Sequence, residues 1–316
     1  MAKAFASQGD LTEKKTSFTE IGPGLWAFTA EGDPNSGVII GDDSVMVVEA
    51  QATPRLARKV IEEIRKVTDK PITHLALTHY HAVRVLGASA YGAPQILMSE
   101  KARAMVAERG QEDWDSEFQR FPRLFEGHEE IPGLTWPTTT FSGKMSVYLG
   151  QRRIDLMHLG RAHTAGDIVI HVPDANVMFT GDIVEYKSAC YCGDGHFQDW
   201  PQTLEAIRAF DLDAIAPGRG DALTGREKVN EALDLTGDFI RSTWRPAARV
   251  AQRGGSLKEA WDAVRAECDP KFADYAIYEH CLPFNVARAH DEAQGIDTPR
   301  IWTAQRDLEM WQALQG

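Results

Sequence analysis

The run Thr78-His79-Tyr80-His81 follows Ile72-Thr73-His74-Leu75-Ala76-Leu77, an apolar stretch that reads as a strand. Histidines at i and i+2 on extended backbone point to the same side, so both imidazoles can reach one ion. Taken alone, the pair is either half of a metal site or two surface histidines, since a chain with 10 histidines contains such pairs by chance. Further donors follow downstream. Gly160-Arg161-Ala162-His163-Thr164-Ala165-Gly166-Asp167 places a third imidazole in a Gly-rich turn, and Val177-Met178-Phe179-Thr180-Gly181-Asp182 ends an apolar strand in an aspartate. Three neutral imidazoles with one position open suit Zn²⁺, whose Lewis acidity brings water to a pKa near ~7 and supplies a nucleophile without an activated side chain.

The series T-H-x-H, H-T-x-G-D, F-T-G-D and P-G-x-G (Pro217-Gly218-Arg219-Gly220), in that order, resembles the metallo-β-lactamase superfamily of metallohydrolases over roughly residues 20 to 225. The resemblance implies an α+β fold, an αβ/βα four-layer sandwich. It also implies that His79, His81 and His163 form the first metal site, with Asp182 normally bridging to a second. The departures are as informative. The family's H-x-H-x-D-H motif has Val83 and Arg84 where its aspartate and last histidine stand, and Arg219 replaces the histidine of P-G-H-G. Those three missing side chains belong to the second site, so the resemblance implies one metal per chain, zinc, with iron as the alternative. Asp182 then either completes the coordination or holds the water as general base.

Arg84 and Arg219 stand where second-metal histidines would be, and a guanidinium offers a planar fork of donors for carboxylate, phosphate or sulfate. We expect both to bind substrate; the competing expectation is that each pairs with a nearby acid such as Glu185 or Glu279. His280 is either a further contributor from the C-terminal part or an ordinary core or surface histidine, and Cys190 and Cys192 are either soft ligands or a plain buried pair. The reading is a mononuclear zinc hydrolase acting on an ester, lactone or amide bond of a small anionic metabolite. A second class is a persulfide dioxygenase binding Fe(II) through His79, His163 and Asp182, against which the broken first motif speaks. A third is a non-catalytic metal-binding module.

The elements that must position these residues are legible in outline. Leu25 to Phe28, Gly37 to Ile40 and Ser44 to Glu49 read as a β-meander, Pro54 to Val67 as a helix with Leu56, Val60, Ile61, Ile64 and Val67 on one face, and Gln95 to Met98 as a strand leading into a helix from Ser99. Trp114 to Phe125 has no regular period and reads as a packed loop, or a lid over the cleft. Strands follow at 145–149, 153–157, 168–172, 177–180 and 214–216, with a helix from Pro201. Beyond Gly225 only helices are expected, including Ser256 to Glu267 and Thr303 to Leu314. We therefore divide the chain into an N-terminal arm (1–20), a metallo-β-lactamase-like domain (21–225) and a helical C-terminal extension (226–316) packed on it, which could serve a homodimer.

At 316 residues, 43% hydrophobic and 25% charged, the chain is long enough for an ample core. Its formal net charge of −12 argues against nucleic acid and anionic membranes as partners, and leaves a small molecule as the substrate. No signal-like or membrane-spanning apolar run is present, and four unevenly spaced cysteines suggest no disulfide framework, so a cytoplasmic setting is expected.

Overall fold

A computed structural model describes residues 6–315; the first five residues of the expected arm, and Gly316, lie outside the described residues. One sheet runs in chain order through β1 (Ser17–Gly22), β2 (Leu25–Ala30), β3 (Asp33–Ile40), β4 (Val45–Val48), β5 (Ile72–Ala76), β6 (Gln95–Ser99) and β7 (Thr139–Phe141). Pairing is antiparallel as far as β4 and parallel beyond it. The second sheet holds β8 (Lys144–Leu149), β9 (Arg152–Met157), β10 (Val169–Val172), β11 (Val177–Gly181), β12 (Ala214–Pro217) and β13 (Leu223–Thr224), again side by side in chain order. Here β11 and β12 alone are parallel.

Side-chain alternation along the strands sorts the apolar residues into three cores, one per interface between layers. Met46 and Val48 of β4 point inward to meet Ile170, Val177, Phe179 and Ala216 of the other sheet. Val45 and Val47 point outward onto α1 (Pro54–Val67) through Ala57, Val60 and Ile64. Met178 and Ile215 point to the opposite outside and are covered by α4 (Trp200–Arg208) and the C-terminal helices. Two sheets face to face with helices on both outer surfaces give the expected αβ/βα layering.

Local signals place α1 as read. Thr53 accepts the Leu56 N–H at 3.2 Å, Pro54 takes the first turn, and Arg65 and Lys66 lie in the last turn, where cations favour the helix dipole. Two expectations change. Trp114 to Arg120 is not loop: it completes the 21-residue α3 (Glu100–Arg120), capped by the Ser99 hydroxyl, and only Pro122–Phe125 is a tight 3-10 turn. The segment lacks apolar periodicity because its Arg109, Asp113, Ser116, Glu117 and Arg120 are buried in polar networks. The expected arm also gives up Ser17–Gly22 to the edge of the first sheet.

A short α2 (Ala82–Val85) follows the histidine pair. The extension comprises α5 (Arg226–Gln252), α6 (Leu257–Phe272), α7 (Tyr278–Ala293) and α8 (Ala304–Gln315). Helix α7 is buried nearly all round, including its internal Pro283, and lies at the centre of the group. Among the described residues no helix is long and apolar enough to cross a membrane.

The segments that leave β4, β5, β11 and β12 emerge from the carboxyl ends of parallel strands, so one rim of the sandwich collects residues 49–51, 78–84, 182 and 218–220. That rim depends on the sheets closing on Phe179, whose ring packs so near the Gly37 backbone that a Cβ on Gly37 would collide with it. Phe179→Ala should therefore lower stability by about 3 to 5 kcal/mol in denaturant unfolding; a loss below about 1 kcal/mol would show that the sheets do not close on this ring.

Candidate metal centre

His79 leaves the end of β5, His81 caps the short α2, and His163 comes from the turn between β9 and β10. Their ring centroids lie 4.6 to 4.9 Å apart at nearly right angles. Each ring uses one nitrogen to fix its orientation. His79 Nδ1 meets the Thr78 hydroxyl at 2.9 Å, His81 Nε2 meets Asp194 Oδ2 at 3.2 Å, and His163 Nδ1 donates to the Tyr191 carbonyl at 2.7 Å. The remaining nitrogens converge and lie within 4.8 Å of one another. His163 Nε2 and His81 Nδ1 share one contact of 2.9 Å, while His79 Nε2 is buried without a partner.

Buried donors left this way suit a cation better than bulk water, since burial pushes His79 well below its ordinary pKa and His163 to about 3, which keeps their lone pairs free. For His81 burial acts in the same direction, but Asp113 and Asp194 outweigh it and raise the pKa. The three residues could hold a metal ion, and the carboxylate and carbonyl behind them are the outer partners that such ligands usually have.

No sequence pattern singles out Asp194. It sits in the stretch between β11 and α4, buried almost throughout, and also accepts from Arg109 at 3.0 Å. Burial alone would raise its carboxyl, but His81 and Arg109 bring it to about 2, so it stays ionised behind the imidazole. The extension clasps this stretch. Asn285 of α7 accepts the Cys192 N–H at 2.6 Å and donates to the Cys190 carbonyl at 2.8 Å, and Arg288 donates to the Gly195 carbonyl at 2.7 Å. Cys190 and Cys192 are buried there as part of the core; burial pushes both thiols well above their usual range, and neither joins the histidine group.

Asp182 follows Gly181, whose φ of +52° and close approach to the Thr78 side chain admit no Cβ. Its Oδ2 lies 3.9 Å from His79 Nε2 and 3.7 Å from His163 Nε2. Both oxygens are already engaged, Oδ1 by Arg84 and Oδ2 by Arg219 at 2.8 Å. Burial favours the protonated form, yet Arg84, Arg219 and His79 together hold this carboxyl well below the usual carboxylate range. Its oxygens, both facing guanidiniums, weigh against an iron triad of His79, His163 and Asp182.

The arginines divide. Arg84 has a side-chain exposure of 0%, donates to the Asn35 carbonyl at 3.2 Å and does not border the cavity that Arg219 lines. Arg219 also pairs with Glu185 at 3.2 Å, as the competing expectation had it, but borders the cavity onto which His81 and His163 open. Glu279 is elsewhere, paired with Arg265 at 2.9 and 3.0 Å. Burial raises Glu185 to about 8 and Glu49 to about 7, both above the ordinary carboxylate range. The cavity is further bordered by Glu117, Phe121, Tyr191, Ile277, His280 and Cys281. His280 thus reaches the site from α7, with Nδ1 2.5 Å from the Ser7 hydroxyl, and Tyr191 presents a buried hydroxyl with no partner.

A profile of the family described as the metallo-beta-lactamase superfamily matches residues 29–219. The chain belongs to that superfamily. A linear primary-alkylsulfatase from Pseudomonas sp. (strain ATCC 19151) is 23% identical over 273 residues, 76% of this chain and 51% of the other, so the chain spans about half the length of that relative. A metallo-beta-lactamase type 2 from Bacillus cereus is 22% identical over 231 residues, covering 69% of this chain and 82% of that protein. The solved metallo-beta-lactamase from Pontibacter korlensis superposes with a TM-score of 0.57 at 16% identity, over 72% of this chain and 99% of its own, and so shares the fold.

If Arg84 serves Asp182 rather than a ligand, Arg84→Ala should cost about 1.5 to 3 kcal/mol of stability, because it removes one of the two guanidiniums paired with this buried carboxylate and leaves Arg219 as its remaining partner. Chemical denaturation measures this, and a variant of wild-type stability would return Arg84 to the candidates for substrate contact.

Proposed function

We propose that this chain is a mononuclear zinc hydrolase acting on an ester, lactone or amide bond of a small anionic molecule in the cytoplasm. The observation that carries the reading is the pairing of an intact three-histidine group with Arg84 and Arg219 locked on Asp182, in the place where the superfamily resemblance puts a second metal. Zinc held by His79, His81 and His163 would supply Lewis acidity and make water nucleophilic at neutral pH.

The protein's own groups then have separate tasks. Asp182 faces the histidine nitrogens and accepts a hydrogen bond from the nucleophilic water, which orients it. Arg219, on the cavity wall, attracts and aligns the anionic group of the substrate. The alkylsulfatase name of one relative supports including sulfate esters among the bonds to be tried.

The test is a hydrolysis screen on paired acidic and neutral esters, with and without a chelator. Activity should disappear with the metal and return with zinc. Arg219→Ala should cost roughly 1.5 to 3 kcal/mol more in transition-state stabilisation on the acidic member than on the neutral one, at unchanged metal content. Equal losses on both members would remove the substrate role of Arg219. Asp194→Asn should weaken zinc binding by about 10- to 100-fold in competition titrations while the fold is retained; an unaltered affinity would mean that Asp194 does not tune His81.

A further inference from the structure

We propose that the substrate carries an apolar, uncharged end, and that this end lies in a chamber built largely by the helical extension and separated from the metal centre by Phe121, Ile277 and His280. The proposal rests on the hydrolase reading and adds the half of the substrate that is not hydrolysed.

The cavity at the histidines holds about 20 Å³, room for one water molecule and no more. Only the reacting group of a substrate can occupy it, so the rest must lie beyond its walls. Phe121, Ile277 and His280 border this cavity on one side and a chamber of about 240 Å³ on the other. That is larger than the roughly 150 Å³ cavity known to take up benzene. Its remaining apolar lining comes from Ala273, Tyr275 and Tyr278, at the junction of α6 and α7.

The charges select the ligand end. Asp10 and Glu279 flank the chamber, and among the described residues its lining contains no lysine or arginine. Both acids are already paired, Asp10 with Lys14 at 3.1 Å and Arg123 at 3.3 Å, and Glu279 with Arg265 at 2.9 Å. A carboxylate placed there would face acids and find no free cation among the described residues, whereas methylene groups would find aromatic and aliphatic walls. A second cleft, of about 220 Å³, shares only Leu124 with the metal cavity and carries Lys14, Lys59 and Arg123. Those cations lie among Glu13, Asp33 and Glu126 and are paired, Lys14 with Asp10, Lys59 with Glu13 and Arg123 with Asp33, so this cleft has a polar lining rather than an apolar one.

The partition is itself unusual. Ile277, a β-branched residue, has φ of +55° at the start of α7, a conformation such residues rarely adopt. It is held there by its neighbour: the Ala276 carbonyl accepts the Ala189 N–H at 2.9 Å, on the same stretch that carries Tyr191. Backbone strain of this kind persists where the surroundings impose it, and it is common at ligand sites.

The experiment is calorimetry on the zinc-loaded full chain, under oxygen-free conditions, with ethanethiol, 1-hexanethiol and 6-mercaptohexanoic acid. A thiolate is a favourable ligand for zinc, so zinc held by His79, His81 and His163 would anchor the sulfur and direct the alkyl chain towards the partition. Hexanethiol should bind about tenfold tighter or more than ethanethiol, and the terminal carboxylate should abolish that gain. Ala273→Trp, which fills the chamber from its exposed rim, should remove the gain with ethanethiol affinity, zinc content and melting temperature unchanged. Equal binding of the two alkanethiols by the wild type, or tighter binding of the acid, overturns the chamber while leaving the hydrolase reading intact, and this comparison needs no variant. Failure of every thiol to bind overturns both.

Discussion

The rim of the sandwich is organised by one buried ion cluster, Asp182 between Arg84 and Arg219. Charges this deep are costly unless they are answered, and the backbone around them answers part of the demand, while Arg84 Nε and Glu185 Oε2 stay buried without a hydrogen-bond partner. Arg84 binds the Asn35 carbonyl, and its own carbonyl accepts the Ala50 N–H at 2.7 Å. The Asn35 side chain donates to the Pro217 and Gly220 carbonyls at 2.9 and 2.8 Å, which fixes the turn carrying Arg219. Gly218 has no side chain because a Cβ there would collide with Asp182 Oδ1. The end of β3, the end of β5 and the ends of β11 and β12 are thereby tied to a single carboxylate, joining the two sheets at the rim where the histidines converge.

A consequence is that the histidine group and the arginine cluster do different work although they touch. The imidazoles are oriented from behind by Thr78, Asp194 and the Tyr191 carbonyl, and their inward nitrogens are left without adequate partners. The arginines hold Asp182 ionised and fill the space beside it with fixed positive charge. Fixed charge is insensitive to metal supply but cannot act as a second Lewis acid. The proposed chemistry therefore places the activation of water on one ion and the handling of negative charge on Arg219.

Much of this is legible in the sequence, for identifiable reasons. The meander, α1 and the strands of the second sheet follow from alternation and turn residues, because their cores are simple apolar layers. The three histidines and Asp182 are readable because they stand at strand ends beside small residues. Polar burial defeats the same reasoning in α3, where Arg109, Asp113, Glu117 and Arg120 break the apolar period of a continuous helix. Asp194 and Tyr191 have no motif: they act because Asn285 and Arg288, almost 100 residues later, pin an irregular stretch against the site. His280 reaches the cavity by the same long-range packing, and no local spacing announces it. The substitution pattern at Arg84 and Arg219 is visible in the motifs, but only burial separates them, one sealed and the other on the cavity wall.

The most direct measurement is metal content by elemental analysis of protein purified without added metal and then dialysed against excess zinc. If the arginine cluster has replaced a second ion, the value should stay close to one per chain before and after dialysis. A value approaching two would mean that Asp182 can leave its arginines to bind a metal, and would contradict the single-ion centre outright.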